Sequence, residues 1–189
     1  LPPAAPTGLT ASGADKSAKL SWRAPLGSVP ITGYQIEVRG PDGRWRTAVD
    51  DTRSVATAAN IAGLTNGLRY TFRVSARNES IVGAAAQSES VLVVGAPTRP
   101  TSPVLRFPAT HKVVLQWKPP SATGGAPITG YICRITGPNS TRFGKWQKAT
   151  GRNCTFGGLK KGAKYKIEVV ARNGAADSAP LPVSFGQAR

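Results

Sequence analysis

The sequence of 189 residues contains no methionine, two cysteines and a single histidine, His111. No cysteine, carboxylate or second histidine lies near His111 at the spacing of a metal site or a nucleophilic triad. Asp50 and Asp51 are adjacent in a predicted turn and point in different directions, so they do not form the carboxylate pair of acid–base catalysis. Gly124 and Gly125 follow no phosphate-loop pattern. We therefore expect a non-enzymatic protein that needs no metal and no cofactor.

The sequence also lacks any run of about 18 apolar residues, so we expect no membrane insertion. Acidic residues are scarce, at 9 against 25 Lys and Arg, and the net charge is +16. Residues 1–97 carry ten basic and seven acidic side chains, net +3, whereas residues 98–189 carry fifteen and two, net +13. So strong a positive field attracts anionic polymers in a salt-sensitive way. An acidic cell-wall glycan or an acidic protein partner is therefore expected for the second half.

The sequence Pro-Ile-Thr-Gly-Tyr occurs twice, at 30–34 and at 127–131. Each copy follows a tryptophan, Trp22 or Trp117, and precedes a leucine and a tyrosine at matching positions. Such a repeat predicts two similar domains in tandem. The first spans 1–97, with an extended proline-rich lead-in at 1–6. The second spans 98–189, with a short, stiff proline-rich linker at 98–103.

Short alternating segments separated by turn residues predict seven strands in each domain. In the sixth strand, Tyr70 and Phe72 fall on one side and Arg73 and Arg77 on the other, so the apolar side should face the core. Trp22 and Trp117 are the predicted core tryptophans. The predicted strands are 8–11, 18–22, 33–39, 45–49, 56–61, 70–78 and 90–94, and then 104–107, 113–117, 130–136, 145–149, 153–156, 165–173 and 182–185.

Tyr70 and Tyr165 each follow a leucine by six residues, with an intervening glycine that can form a bend. This is the pattern of a tyrosine corner, in which the hydroxyl bonds an upstream backbone group. Together with the tryptophans, the repeated pentapeptide and the valine-rich strand that ends in Asn, these residues resemble the fibronectin type III family over nearly the whole chain. The resemblance implies an all-β fold of two tandem immunoglobulin-like, seven-stranded β-sandwiches. It also implies a spacer, adhesion or scaffold role rather than a reaction.

Cys133 and Cys154 both lie at inward positions of the second copy, where the first copy has Ile36 and Ala59. In a fold of this family the two cysteines belong to opposite sheets, so a disulfide would join the layers and stabilise the domain by roughly 3 kcal/mol. It would place the protein in an oxidising, extracellular or cell-surface setting. Two buried free thiols are the alternative.

Basic residues recur on the predicted outer face of the second domain, and they form the candidate surface for an anionic partner. The alternative is an ordinary solvated sheet face, which we favour for Arg69, Arg73 and Arg77 of the first copy. Trp45 and Trp146 lie on predicted edge strands, where they either pack over the core margin or form an exposed platform. The remaining Trp and Tyr residues are paired between the copies and committed to the fold, so nucleic-acid binding is not expected. The candidate surface comprises Arg134, Lys145, Lys148, Lys164, Lys166 and Arg172.

Three functional hypotheses fit these features. The first is a non-enzymatic extracellular structural or adhesive protein, acting as spacer, adhesion module or filament subunit, with head-to-tail self-association as one form of partner contact. The second is an accessory spacer module of a secreted polysaccharide-degrading enzyme, and the third is a virion decoration protein. Asn78, Asn139 and Asn153 each begin a triplet that can accept an N-linked glycan.

Overall fold

The computed structural model describes residues 1–27, 29–138 and 144–186. The chain divides into two compact units, Leu1–Gly95 (unit 1) and Ala96–Arg189 (unit 2). The described residues form antiparallel strands and turns, and they include no helix long and apolar enough to span a membrane.

Unit 1 is a sandwich of two antiparallel sheets. One sheet has the strand order β1-β2-β5, and the other has the order β4-β3-β6-β7, with β8 also paired to β6. The strands are β1 Thr7–Ala14, β2 Ser17–Arg23, β3 Gly33–Arg39, β4 Trp45–Val49, β5 Ala58–Ala62, β6 Arg69–Arg77, β7 Val82–Gln87 and β8 Val91–Leu92.

Unit 2 repeats this architecture. Its sheets have the orders β9-β10-β13 and β12-β11-β14-β15. The strands are β9 Thr101–Ala109, β10 Lys112–Lys118, β11 Gly130–Thr136, β12 Gln147–Lys148, β13 Asn153–Gly157, β14 Lys164–Arg172 and β15 Leu181–Gly186.

Alternation along the strands builds the core of each unit, as the sequence predicts. In β2, Leu20 and Trp22 are buried between exposed neighbours, and in β10 Leu115 and Trp117 repeat the pattern. Trp22 packs edge-on against Tyr34, with ring centroids 5.0 Å apart, and Trp117 packs in the same way against a tyrosine of β11. The two predicted core tryptophans therefore join the two layers of their sandwiches.

One strand of unit 1 is not marked by the sequence pattern. β7 contains Gly83 and three consecutive alanines, which have low β propensity and no alternation. Its backbone bonds to β6, and β8 continues along the same edge of β6 after Ser88. At Ser88 the backbone N–H donates to the Phe72 carbonyl at 2.9 Å, and the Ser88 hydroxyl accepts from the Phe72 N–H at 3.0 Å. Other boundaries agree with the prediction to within three residues, and the expected strand at 145–149 is reduced to Gln147–Lys148.

The two proline-rich segments are bonded to the units that follow them. Pro3 and Pro6 are buried, and the Asn78 side chain donates to the Leu1 carbonyl at 3.2 Å. Within 98–103, the Thr98 N–H donates to the Ala122 carbonyl at 2.9 Å and Pro100 is buried. β9 begins at Thr101, so the second half of the expected linker is a strand of unit 2.

Candidate functional site

The outer face of the four-stranded sheet of unit 2 carries most of the candidate basic surface. Tyr131, Cys133 and Ile135 of β11 point into the core, so Arg134 points outward. Arg134 lies opposite Glu168 of β14, and Lys148 of β12 lies opposite Ile132 on the same face. Lys164, Lys166 and Arg172 alternate with buried residues along β14 and are exposed. We call this surface the outer face.

Glu168 neutralises two of the candidate cations. Its carboxylate accepts from Arg134 Nε at 2.7 Å and lies 3.1 Å from Lys166 Nζ. Burial by itself raises the pKa of the Glu168 carboxyl, but the hydrogen bonds and charges of Arg134 and Lys166 outweigh burial, so the pKa falls below its ordinary value. The centre of the outer face is therefore a salt-bridge network rather than a field of free positive charge.

Arg172 is also paired, with 2.7 Å between its Nε and Asp177 Oδ1. Both acidic residues of unit 2 are thus used on this face. Among the described residues, Lys145, Lys148 and Lys164 have no carboxylate within salt-bridge distance. The structure therefore divides the candidate surface into three paired cations and three free ones.

The two edge tryptophans cover arginine side chains of their outer faces. The Arg134 guanidinium carbon lies 4.6 Å from the centroid of the Trp146 ring, and Trp146 is 38% exposed. Trp45 receives two such contacts, from Arg39 at 4.9 Å and from Arg73 at 4.0 Å. These cation–π contacts hold the arginines against the sheet.

Unit 1 has the opposite distribution of charge at equivalent places. Glu37 of β3 lies opposite Arg73 of β6, where unit 2 has Arg134 opposite Glu168. Arg77 lies within 3.8 Å of Asp50 and 3.7 Å of Asp51, which follow β4. In unit 2 the segment after β12 carries no carboxylate and instead has Arg152. Because the segment after the fourth strand is acidic in unit 1 and basic in unit 2, Lys148 and Arg152 have no carboxylate beside them among the described residues.

Those cations line a groove that the sequence does not reveal. It has a volume of about 420 Å³ and lies beside the start of β11. Pro119, Ile128 and Ala149 supply apolar surface, and Tyr131, Lys148 and Arg152 supply polar groups. Burial raises the pKa of Tyr131, and the Arg152 charge partly offsets this effect. Sequence reasoning assigns Tyr131 to the core alone, and nothing in the sequence shows that Arg152 reaches it.

Cys133 and Cys154 form a disulfide in unit 2. Cys133 belongs to β11 and Cys154 to β13, so the bond joins the two sheets across the core. Both residues are buried, and their Cα atoms lie 6.6 Å apart. The alternative of two free thiols does not apply, because no cysteine is free.

The two predicted tyrosine corners have matching bonds. The Thr65 N–H donates to the Tyr70 hydroxyl oxygen at 3.1 Å, and the Lys160 N–H donates to the Tyr165 hydroxyl oxygen at 2.8 Å. In both corners the bond spans five residues, as expected for a phenol that reaches back to the preceding loop. Both tyrosines therefore hold loops on their own units.

The remaining polar candidates have structural roles or lie outside the described residues. His111 sits at a positive φ of 60° in a hairpin turn, and its ring is bonded to the Leu159 carbonyl. Asn78 accepts from the N–H groups of Ser80 and Ile81, and Asn153 is paired in β13. The triplet at Asn139 lies outside the described residues. Within the described part of the chain, no three His, Cys, Asp or Glu side chains are grouped to hold a metal.

Comparisons with known proteins agree with this architecture. The profile of the Fibronectin type III domain matches residues 4–92 and again 98–184. The chain is 31% identical to Titin of Drosophila melanogaster over 95% of its length, and 32% identical to Receptor-type tyrosine-protein phosphatase F of Mus musculus over 82%. It is 29% identical to Chitinase A1 of Niallia circulans over 90% of its length.

The chain spans only 1%, 9% and 23% of the titin, phosphatase and chitinase, so it corresponds to a part of each. Among solved structures, the FN1–FN3 domains of chicken CNTN1 match it with a TM-score of 0.54 and 18% identity, over 100% of this chain and 69% of that one. This likeness concerns the fold. Two family-model matches, two sandwiches and two tyrosine corners show that the chain belongs to the fibronectin type III family.

Proposed function

We propose that the chain is a non-enzymatic structural or adhesive segment of a secreted or cell-surface protein, in which unit 2 contacts an anionic polymer. Fibronectin type III domains are generally non-catalytic modules, and the relatives carry them as parts of much longer proteins. The observation that supports the polymer contact best is the charge of unit 2. Its two carboxylates are already paired with Arg134, Lys166 and Arg172, so the other described cations face solvent without compensation.

The disulfide supports the proposed location. A bond such as Cys133–Cys154, closed across a core, persists in oxidising compartments and is rare in reducing ones. Mass measurement of the protein from its native source, alkylated before and after reduction, tests this directly. We expect alkylation of the two cysteines only after reduction, whereas alkylation of the native protein would argue against a secreted setting.

Binding to immobilised polygalacturonate at several salt concentrations tests the partner class. We expect retention that weakens steeply as salt rises, because counterion release contributes to binding of a polyanion. A matched column of neutral polysaccharide serves as control. Equal retention on both columns, or none on the anionic one, would contradict the proposal.

Head-to-tail self-association is an alternative form of contact, and the net charge of the chain opposes it at low salt. Both halves are positive, at +3 and +13, so copies of the chain repel each other at low salt. We therefore expect a monomer by light scattering at low ionic strength. Filaments under those conditions would instead support a role as filament subunit.

The role of accessory module in a polysaccharide-degrading enzyme is the second candidate, and the similarity to Chitinase A1 favours it. The two candidate functions differ in which other domains the same protein should contain. The complete gene sequence decides between them: a hydrolase domain in the same reading frame supports the accessory role, and its absence supports a structural or adhesive protein.

A further inference from the structure

We propose that the groove beside Tyr131, Lys148 and Arg152 binds one carboxylated sugar unit of an anionic glycan. This inference rests on the proposed function and deepens it, because it gives the contact with an anionic polymer a specific site. All residues that line the groove belong to unit 2 and are among the described residues.

The first observation is uncompensated charge at one place. Lys148 and Arg152 both line the groove, and neither has a carboxylate within salt-bridge distance among the described residues. The corresponding segment of unit 1 has Asp50 and Asp51, which lie beside Arg77. The equivalent of Arg77 in unit 2 is Arg172, which forms its ion pair with Asp177 instead. A negatively charged ligand would therefore supply the countercharge that unit 1 provides internally.

The second observation concerns the side chain of Tyr131. Tyr131 is 8% exposed, and its ring is held edge-on against Trp117 with centroids 5.4 Å apart. No hydrogen bond joins its hydroxyl to any other described side chain or backbone group. Tyr131 and Arg152 both line the groove, and the positive charge of Arg152 partly offsets the rise that burial causes in the pKa of the Tyr131 hydroxyl. A phenol and a guanidinium are both donors that a carboxylate can accept from.

The third observation is that the backbone holds these side chains in place. The Trp117 N–H donates to the Arg152 carbonyl at 3.3 Å, and Thr150 and Asn153 bond each other in both directions at 3.2 Å across a tight turn. Gly151 has a positive φ of 58° in that turn. The Ala149 N–H donates to the Tyr131 carbonyl at 3.0 Å. The two cations are thus carried by backbone that is already ordered, which reduces the entropic cost of binding.

The shape of the groove favours a sugar over an acidic peptide. Pro119, Ile128 and Ala149 offer apolar surface to the C–H groups of a sugar ring, and a volume of about 420 Å³ lies in the range of small-ligand sites. A peptide that added a strand would need free backbone groups. The backbone at Gly130 and Tyr131 is already bonded on both sides, to β14 and to Ala149.

Calorimetric titration of the full chain with tetragalacturonate tests the site. Maltotetraose is the neutral control ligand, and tetraglutamate is the peptide control. The variant Lys148→Gln/Arg152→Gln removes both groove cations, whereas Lys160→Gln/Lys161→Gln removes two exposed charges from the segment between β13 and β14 and is the matched control. We expect the groove variant to bind about tenfold or more weakly and the control variant within about twofold of wild type. Tyr131→Phe, which keeps the buried ring, should fall between them.

The outcomes separate this inference from the proposed function. Equal weakening of the groove and control variants would overturn the groove site and leave general attraction of polyanions intact. Groove-dependent binding of tetraglutamate as tight as that of tetragalacturonate would overturn the assignment to a sugar. A wild-type chain that binds neither tetragalacturonate nor polygalacturonate would overturn both proposals. Unchanged melting temperatures of the variants would show that each loss reflects binding and not unfolding.

Discussion

At the scale of single residues, the hydroxyl groups of the repeated tyrosines differ in what they contribute. Tyr70 accepts a hydrogen bond from the Thr65 N–H at 3.1 Å and holds a loop on unit 1. The Tyr34 hydroxyl is buried in the same unit and has no hydrogen-bond partner among the described residues. A buried polar group without a partner costs free energy, whereas a satisfied one is close to neutral or favourable. Removal of the hydroxyl should therefore lower the free energy of unfolding at Tyr70 but not at Tyr34.

We predict that Tyr70→Phe lowers the free energy of unfolding by about 1 kcal/mol, because the Thr65 N–H loses its acceptor. Tyr34→Phe keeps the ring that packs on Trp22 and removes only the unpaired oxygen, so it should be neutral or stabilising. Urea unfolding of the two variants measures both effects. A larger loss in Tyr34→Phe than in Tyr70→Phe would refute this assignment of the two hydroxyls.

Sequence alone predicts such residues well when local spacing determines their role. The tyrosine corners and core tryptophans follow from repeated intervals, since each depends on neighbours only a few residues away. The role of Tyr131 in the groove does not follow, because Arg152 is brought to it by the pairing of separate strands. The same tyrosine position is a closed core site in unit 1.

At the scale of strands, register decides which charges meet. Arg134 and Glu168 lie directly opposite each other on β11 and β14, and Lys166 lies two residues from Glu168 on the same face. The sequence identifies the outward cations by alternation but does not show that Glu168 joins two of them. β7 is missed for a related reason: its alanines carry no pattern, and its pairing with β6 defines it.

The pH dependence of stability follows from the lowered pKa of Glu168. Because the folded pKa lies below the ordinary value of 4.5, the ion pair stabilises unit 2 above that pH. This contribution is lost as the pH falls through the folded pKa. We predict that Glu168→Gln destabilises unit 2 by about 1–2 kcal/mol at pH 7, with allowance for the partly exposed Arg134 and Lys166.

Chemical unfolding at neutral pH and near pH 3 measures this effect, and the difference between wild type and Glu168→Gln should shrink at the lower pH. Asp177→Asn is the matched control, since that pair with Arg172 is about half exposed and should contribute less than about 1 kcal/mol. A wild-type advantage that persists unchanged in acid would contradict the role given to Glu168.

At the scale of the whole molecule, the two units differ in what joins the two sheets within each of them. Unit 2 has a disulfide between its sheets where unit 1 has the side chains of Ile36 and Ala59. Cys133 pairs with Val169 just as Ile36 pairs with Val74, so the positions are equivalent in register. The repeat thus provides a natural replacement that fills the core without the crosslink.

We predict that Cys133→Ile/Cys154→Ala lowers the stability of unit 2 by about 3 kcal/mol, because the unfolded chain loses a constraint across 21 residues. Calorimetry of the full chain should show two unfolding transitions, of which the substitution and added reductant shift the same one. The residues borrowed from unit 1 separate loss of the crosslink from loss of packing. A shift of both transitions, or of neither, would contradict separate stabilisation of the two units.

The specialised surface of this protein is expected on unit 2, whose net charge of +13 differs most from that of its repeat. Amide chemical shifts of the full chain, recorded during titration with tetragalacturonate at about 0.15 M salt, test it most directly. We expect shifts centred on Tyr131, Lys148 and Arg152, with unit 1 unchanged. Shifts spread evenly over both units, or centred on unit 1, would contradict it.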